Sequence, residues 1–158
     1  MNWIPLTTQA ELDALLLRFG NFHDGCIREA HVWTETYVME NMHMRVPHHM
    51  DNRVRLLVHR QWRDPSAIEL LFEEVTTFHL VPPPENYAGI IMVATLLLEG
   101  EIFYWADDAP WHPSAPNRDQ STWIGARKLS WRDASDWMGP ELRYGGGGGA
   151  SPPAGVGV

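Results

Sequence analysis

Two short segments of the chain combine residue types that could do chemistry. In the first, Asp24 follows His23 directly, and in the second, Asp107 and Asp108 stand shortly before His112. A histidine beside a carboxylate can act as a general base with its orienting partner, or can supply two ligands of a metal ion. If the fold brought all five side chains together, they would suit a small metal-dependent hydrolase.

Each segment also has a purely structural interpretation. In the first, Phe22 would fill the core, His23 would hydrogen-bond a loop, and Asp24 would accept backbone N–H groups in a turn. In the second, Asp107 and Asp108 would be solvated residues at the end of a hairpin. The chain holds eight histidines but no His-x-His or Cys-x-x-Cys pattern, so the sequence predicts no metal ion and no cofactor.

The second segment has, in addition, the composition of a surface that binds another protein. Tryptophan and tyrosine supply much of the contact energy in interfaces, and carboxylates attract a basic partner. Neighbouring residues of a strand point to opposite faces, so only one of Tyr104 and Trp105 can face the core. The predicted partner-binding residues are Glu101, Tyr104, Trp105, Asp107, Asp108 and Trp111.

The charge balance narrows the classes of partner. The chain has 12 basic and 20 acidic residues, a net charge of −8 and a pI near 5.4. Nucleic acids and anionic membranes bind cationic surfaces, so neither is an expected partner. Between residues 85 and 108 the chain has five acidic residues and no basic one, which favours a basic protein as the partner.

The expected location is the cytoplasm. No apolar run reaches the roughly 18 residues of a membrane-spanning helix. The start of the chain, residues 1–5, has neither the basic nor the apolar region of a secretory signal. Cys26 is the single cysteine, as is usual in a reducing compartment, and its apolar neighbour Ile27 suggests a small core residue.

The hydrophobic periodicity predicts one helix followed by strands. The helix covers residues 7–19, with Thr7 or Thr8 as its cap, Glu11 in a capping box and Gly20 as its end. The apolar run 90–98 predicts a strand that is buried on both faces. The predicted strands are residues 26–33, 37–44, 53–60, 68–73, 76–81, 90–98, 102–105 and 122–131.

Strands without helices between them predict an antiparallel arrangement. We therefore expect an α+β fold, mainly antiparallel β (a sheet, a sandwich or a partly open barrel), with one N-terminal helix. Residues 1–144 would form a single β-rich domain, and the Gly/Pro-rich residues 145–158 a flexible tail. A short helix over residues 132–138 is a further expectation.

Three side-chain placements follow from these strands. Arg53 and Arg55 should pair across the sheet with Glu69 and Glu73. In the last strand, Trp123, Leu129 and Trp131 should share one face, with Lys128 on the other. Trp131 should lie in the core.

Several short motifs resemble a group of small uncharacterised bacterial proteins. They are Phe22-His23-Asp24, the strand that ends Phe72-Glu73-Glu74-Val75, and the closing strand Ile124-Gly125-Ala126-Arg127-Lys128-Leu129-Ser130-Trp131-Arg132. The chain departs from the group at Glu74, where the pattern has a glycine. Some similar proteins are regarded as immunity proteins of bacterial toxin systems, and the resemblance implies a binding role without catalytic residues.

The sequence therefore favours a non-enzymatic protein-binding module, which would be immunity-like and would mask a basic toxin surface. Two alternatives stay open. One is the metal-dependent hydrolase that uses the histidines and aspartates named above. The other is a β-barrel that encloses a small apolar ligand between its aromatic strands. The sequence gives no prediction of the oligomeric state.

Overall fold

The structure is a computed structural model that describes residues 2–145. Nearly all of the predicted tail, residues 145–158, lies outside the described residues. The elements in chain order are β1 (Ile4–Leu6), α1 (Gln9–Arg18), β2 (Gly25–Trp33), β3 (Tyr37–Val38), β4 (Met44–Arg45), β5 (Arg53–Arg60), β6 (Ala67–His79), β7 (Thr95–Glu99), β8 (Ile102–Ala106) and β9 (Trp123–Asp133), with short 3₁₀ turns at Gly20–Phe22, Arg118–Gln120 and Ser135–Trp137.

The main sheet is antiparallel and open. Its strands lie in the order β2-β5-β6-β9-β8-β7, and β1 adds to β9. An isolated bridge between Gly25 and Ile91 connects the start of β2 with the segment before β7, but the sheet does not close. The α+β class, mainly antiparallel with one helix, is therefore confirmed, and of the expected forms the structure takes that of an open sheet. No helix within residues 2–145 is long and apolar enough to cross a membrane.

Helix α1 begins and ends where its capping residues stand. The Thr8 side chain accepts a hydrogen bond from the Glu11 amide, and Glu11 bonds back to the Thr8 amide, which confirms the capping box. The helix starts at Gln9 rather than residue 7, because the cap itself is extended. Gln9 also bonds to the backbone of Leu96 and Leu98 in β7, so the helix covers an edge strand.

The side of the sheet under α1 holds the main core. Leu12 and Leu15 of the helix pack there against alternate residues of the strands, and Trp131 belongs to the same core, as predicted. The opposite side carries smaller apolar clusters and most of the charged strand residues. The predicted ladder lies on that side: Arg53 pairs with Glu73 at 3.4 Å, and Arg55 pairs with Glu69.

Glu74 changes which residues face the core. Residues 68–73 and 76–81 were expected to be two strands, but the backbone continues through them as β6. Glu74 has a φ of 53°, and the pairing of β6 with β9 shifts just beyond it. Phe72 and Val75 both belong to the main core although they are three positions apart, where strict alternation would place them on opposite faces.

The last strand also changes faces along its length. Leu129 lies in the main core with Trp131, but Trp123 packs on the opposite side with Tyr104 and Trp111. The expectation that Trp123 shares a face with Leu129 is therefore wrong. A strand that pairs with an irregular neighbour does not keep a strict period of two.

Two predicted strands are shorter than expected. Residues 37–44 do not form one strand. They form most of a small hairpin, in which β3 and β4 have two residues each and the residues between them make the turn. In the apolar run 90–98, only Thr95 onward is strand, whereas Ile90, Met92 and Val93 are exposed. An apolar run without alternation does not distinguish a buried strand from a surface segment. Residues 135–137 form a single 3₁₀ turn in place of the predicted short helix.

Candidate functional site

Strand β8 separates the two aromatic residues that the sequence places at a partner surface. Trp105 is 0% exposed and packs edge-on against Phe22, at a ring distance of 6.0 Å. Tyr104 is half-buried on the other side of the sheet. The predicted alternation is correct, but Trp105 has no surface to offer a partner. The inclusion of Trp105 among the partner-binding residues is therefore corrected.

Trp111 is also buried and has a structural role. Its ring lies 5.2 Å from that of Trp123 and 5.6 Å from that of Tyr104. The Trp111 indole N–H donates to the carbonyl of Arg118 at 3.1 Å, and the Arg118 guanidinium lies over the Trp123 ring. This aromatic cluster holds the loop between β8 and β9 against the sheet, so Trp111 contributes little contact surface.

The carboxylates of this loop differ in their surroundings. Asp107 Oδ1 accepts the Thr122 amide at 3.0 Å, and burial together with the neighbouring Asp108 raises the pKa of Asp107. Asp108 and Glu101 are exposed. Glu99 faces His112 at 3.1 Å. Asp107 therefore positions the loop backbone. Asp108 accepts the Ala109 amide at 2.9 Å but is exposed, so Asp108 and Glu101 are the carboxylates that a partner can reach.

The His23-Asp24 corner matches its structural interpretation. Phe22 is fully buried, and the His23 ring is 2.8 Å from the Met92 carbonyl and 3.5 Å from Asp24. The Asp24 carbonyl accepts the Gln61 amide. The acceptor is the backbone carbonyl of Asp24 rather than its carboxylate, and the backbone of Asp24 has a positive φ of 55°. The corner ties the end of the helix region to two loops.

The structure does not bring together the five residues that the hydrolase alternative would use as metal ligands. Within residues 2–145, no group of three or more His, Cys, Asp or Glu side chains is arranged to hold a metal ion. His23 and Asp24 pair with each other, and His112 pairs with Glu99 instead of with Asp107 or Asp108. Nothing in this geometry supports the hydrolase alternative.

A groove that the sequence did not predict lies beside Asp107. It has a volume of about 410 Å³, and its lining is mostly apolar: Ile27, Leu80, Val81, Pro82, Pro83, Pro84, Tyr87, Ala88, Gly89, Ile90, Ile91, Asp107, Gln120 and Thr122. Thr122 bonds the Val81 backbone in both directions, at 2.8 and 3.1 Å. This clamp holds the proline-rich segment 81–91 beside the loop. The available signal was the proline run, which ends the strand and leaves apolar residues after it without pairing.

The groove is edged by exposed apolar side chains. Tyr87 is 75% exposed, Leu80 60% and Ile90 53%. Met92 and Val93 continue the exposed apolar surface along the chain. Contiguous apolar surface of this kind marks binding sites in soluble proteins. No family model, no curated protein and no solved structure matches the chain.

Proposed function

We propose that the protein is a binding module that occludes a basic surface of a protein partner with the groove beside Asp107. One observation carries the proposal: the groove brings exposed Leu80, Tyr87 and Ile90 together in the segment that also holds the exposed Glu85, and most of the groove lining belongs to a stretch of the sequence without a lysine or arginine. From residue 64 to residue 117 the sequence contains no lysine or arginine.

The contact energy would come from the apolar side chains. Tyrosine at the centre of an interface is a frequent hot spot, because it buries a large ring at low entropic cost. Tyr87 extends into solvent next to a proline run, and prolines add rigidity to the surface. A partner that covers Tyr87, Leu80 and Ile90 would remove apolar area from water.

The acidic residues would select and steer the partner. Glu85 lies in the exposed segment that forms the edge of the groove, and the exposed Asp108 follows Asp107, which lines it. Exposed carboxylates accelerate association with a basic surface and lose this effect as salt rises. The resemblance to immunity proteins extends the proposal to a basic toxin as the partner, which this module would inhibit by steric occlusion.

Site-specific photo-crosslinking tests the proposal. A photoreactive residue in place of Tyr87 should crosslink one basic protein in native lysate, and the same residue in place of Tyr37 should not. Tyr37 is a matched control, since it is 55% exposed on the separate β3–β4 hairpin. Equal capture at both positions, or capture of an acidic protein, would contradict the proposal.

The charge requirement has its own pair of variants. Glu85→Lys with Asp108→Lys should reduce crosslinking at Tyr87 strongly at low salt, and Glu40→Lys should not. Asp107 is kept, because its carboxylate holds the Thr122 amide. If the double variant crosslinks as well as the unmodified chain, charge complementarity is excluded. The toxin assignment then requires that the captured protein arrest growth and that co-expression of this chain restore it.

A further inference from the structure

Arg60, the last residue of β5, is a buried cation at the base of two cavities. It is only 7% exposed, and its guanidinium lies 4.5 Å above the Phe19 ring. Its Nε donates to the Pro65 carbonyl at 2.7 Å, and its Nη2 donates to the carbonyls of Arg18 and Arg63 at 3.4 and 3.3 Å. Within residues 2–145, no hydrogen bond from Nη1 is present, so this nitrogen keeps two N–H donors.

The positive charge of Arg60 has no carboxylate partner. No salt bridge among residues 2–145 includes Arg60, Arg18 or Arg63. Burial lowers the pKa of Arg60, but an arginine stays protonated in proteins. Carbonyl groups compensate a buried charge only partly, and an ion without a counter-ion is costly. An anion from outside the chain would remove that cost.

The space for such an anion is present. Two adjoining cavities, of about 480 and 360 Å³, are both lined by Arg60 and by the exposed loop residues 61–64. Arg18 and Gly20 line the smaller cavity as well. A Cβ at Gly20 would lie 2.7 Å from Arg60 Nη1, so the glycine leaves room for the guanidinium where a side chain would collide with it.

The rim of the cavities adds an aromatic surface. Trp62 lies between Arg60 and Arg63 in the sequence, lines both cavities and is 74% exposed. An exposed indole provides a flat face on which a ring can stack. Two carboxylates, Asp24 and Asp64, also line the smaller cavity. Even with both counted, and although Asp24 also faces His23, the three arginines exceed the carboxylates by one charge.

We propose that this site binds a phosphate monoester that carries a flat ring, the chemistry of a nucleoside monophosphate. The phosphate would accept the N–H groups of Arg60 Nη1 and the charge of Arg63, and the ring would stack on Trp62. A phosphate monoester offers nearly two negative charges and three acceptor oxygens at pH 7, which suits several arginines better than one carboxylate does. The site is separate from the groove beside Asp107.

Calorimetric titration of the full chain tests the proposal with three probes. Adenosine monophosphate should bind saturably, inorganic phosphate should bind the same site at least about tenfold more weakly, and adenosine should not bind. A tenfold difference in affinity is about 1.4 kcal/mol, which lies within the range that one stacking contact contributes. If no probe binds at millimolar concentration, the proposal is wrong.

Variants at the rim separate binding from folding. Arg63→Gln and Trp62→Ala change exposed side chains, and each should lower the affinity for adenosine monophosphate by about tenfold. Arg127→Gln is the matched control, an exposed arginine without a salt bridge in the described residues, and should leave the affinity unchanged. Arg60→Lys should abolish binding. If the Arg60→Lys protein does not fold, the two rim variants test the site without it. Equal losses in Arg63→Gln and Arg127→Gln would show a non-specific charge effect and overturn the site.

Discussion

The two faces of the main sheet exclude water by different means. Under α1 the central strands bury apolar side chains, among them Leu56, Leu70 and Phe72, each no more than 1% exposed. At the centre of the opposite face, the charged Glu69 is equally buried, at 0%, next to its cross-strand neighbour Leu57. An apolar core loses stability in proportion to the volume removed, whereas a buried charge depends on every one of its partners. The second face should therefore be the less tolerant of polar substitutions.

Glu69 has a complete set of partners. Arg55 Nη2 lies 2.5 and 2.9 Å from the two carboxylate oxygens, and Arg132 Nε lies 2.7 Å from Oε2. The Tyr144 hydroxyl donates to Oε1 at 3.2 Å. Two guanidinium groups and one phenol thus replace the water that the carboxylate gives up.

Aromatic rings cover this charged centre. The Arg132 guanidinium lies 4.4 Å from the Trp3 ring and 5.3 Å from the Trp137 ring, and the Arg55 guanidinium lies 4.8 Å from the Tyr144 ring. These contacts bring the two ends of the described chain onto the same face. Stacked rings shield the ion pairs from solvent and strengthen them.

The largest expected effect comes from removing the carboxylate. Glu69→Ala should lower the free energy of unfolding by about 3–5 kcal/mol, because it leaves two arginines without their shared anion. Urea unfolding of this variant and of Glu73→Ala measures the difference. Glu73 pairs with Arg53 at a partly exposed position, so its loss should cost at most about 1 kcal/mol. Similar losses in both variants would show that the faces do not differ in this way.

A smaller effect is expected from the phenol. Tyr144→Phe removes only the hydroxyl, and a hydrogen bond to a charged group contributes about 1.5–3 kcal/mol. Burial and the neighbouring Glu69 raise the pKa of Tyr144, so the hydroxyl stays a donor at ordinary pH. Urea unfolding is again the measurement, and an unchanged midpoint would mean that residue 144 does not reach Glu69 in solution.

The contrast between the faces also explains what the sequence could predict. The alternation in β5 places Val54, Leu56 and Val58 on one face, and the capping box at Thr8 marks the start of α1. Both signals are local. The contact between Glu69 and Tyr144 spans 75 residues, and no local period specifies it. The arginine–glutamate ladder was predictable because its strands are neighbours along the chain.

The candidate site was predictable only in part. The sequence located Asp107 and Asp108 in an exposed loop, but it placed Trp105 and Trp111 on the surface instead of in the interior. In a strand as hydrophobic as β8, the sequence does not indicate which of its two faces lies against the main core. The groove was missed because its apolar residues at 90–93 belong to a run that looks like a buried strand.

The next effect concerns the point at which β6 changes faces. Glu74→Gly should stabilise the protein by about 0.5–1 kcal/mol, because a left-handed backbone costs a non-glycine residue about 1–2 kcal/mol, part of which the flexibility of glycine in the unfolded chain offsets. Glu74 also faces Lys128 at 2.9 Å, an exposed pair of small value. Glu74→Ala is the control: it loses the pair, keeps the strain and should destabilise. Thermal unfolding distinguishes the two, and a loss of stability with glycine would contradict the strain argument.

The smallest effect is a pH dependence on the second face. His59 is 8% exposed, its Nε2 has no partner among residues 2–145, and burial lowers its pKa. The nearby Arg28 and Arg143 lower it further, while Glu29 and the Trp137 backbone oppose them.

The unfolded chain therefore binds a proton to His59 at a higher pH than the folded protein does, and this contribution to stability falls as pH drops below about 6.5. His59→Gln should flatten the loss of stability between pH 8 and pH 5. His43→Gln, at an exposed position, should leave the profile unchanged. Urea midpoints across this range decide the matter, since an identical slope in the protein and in His59→Gln would mean that the imidazole is solvated and that the second face is open at this edge.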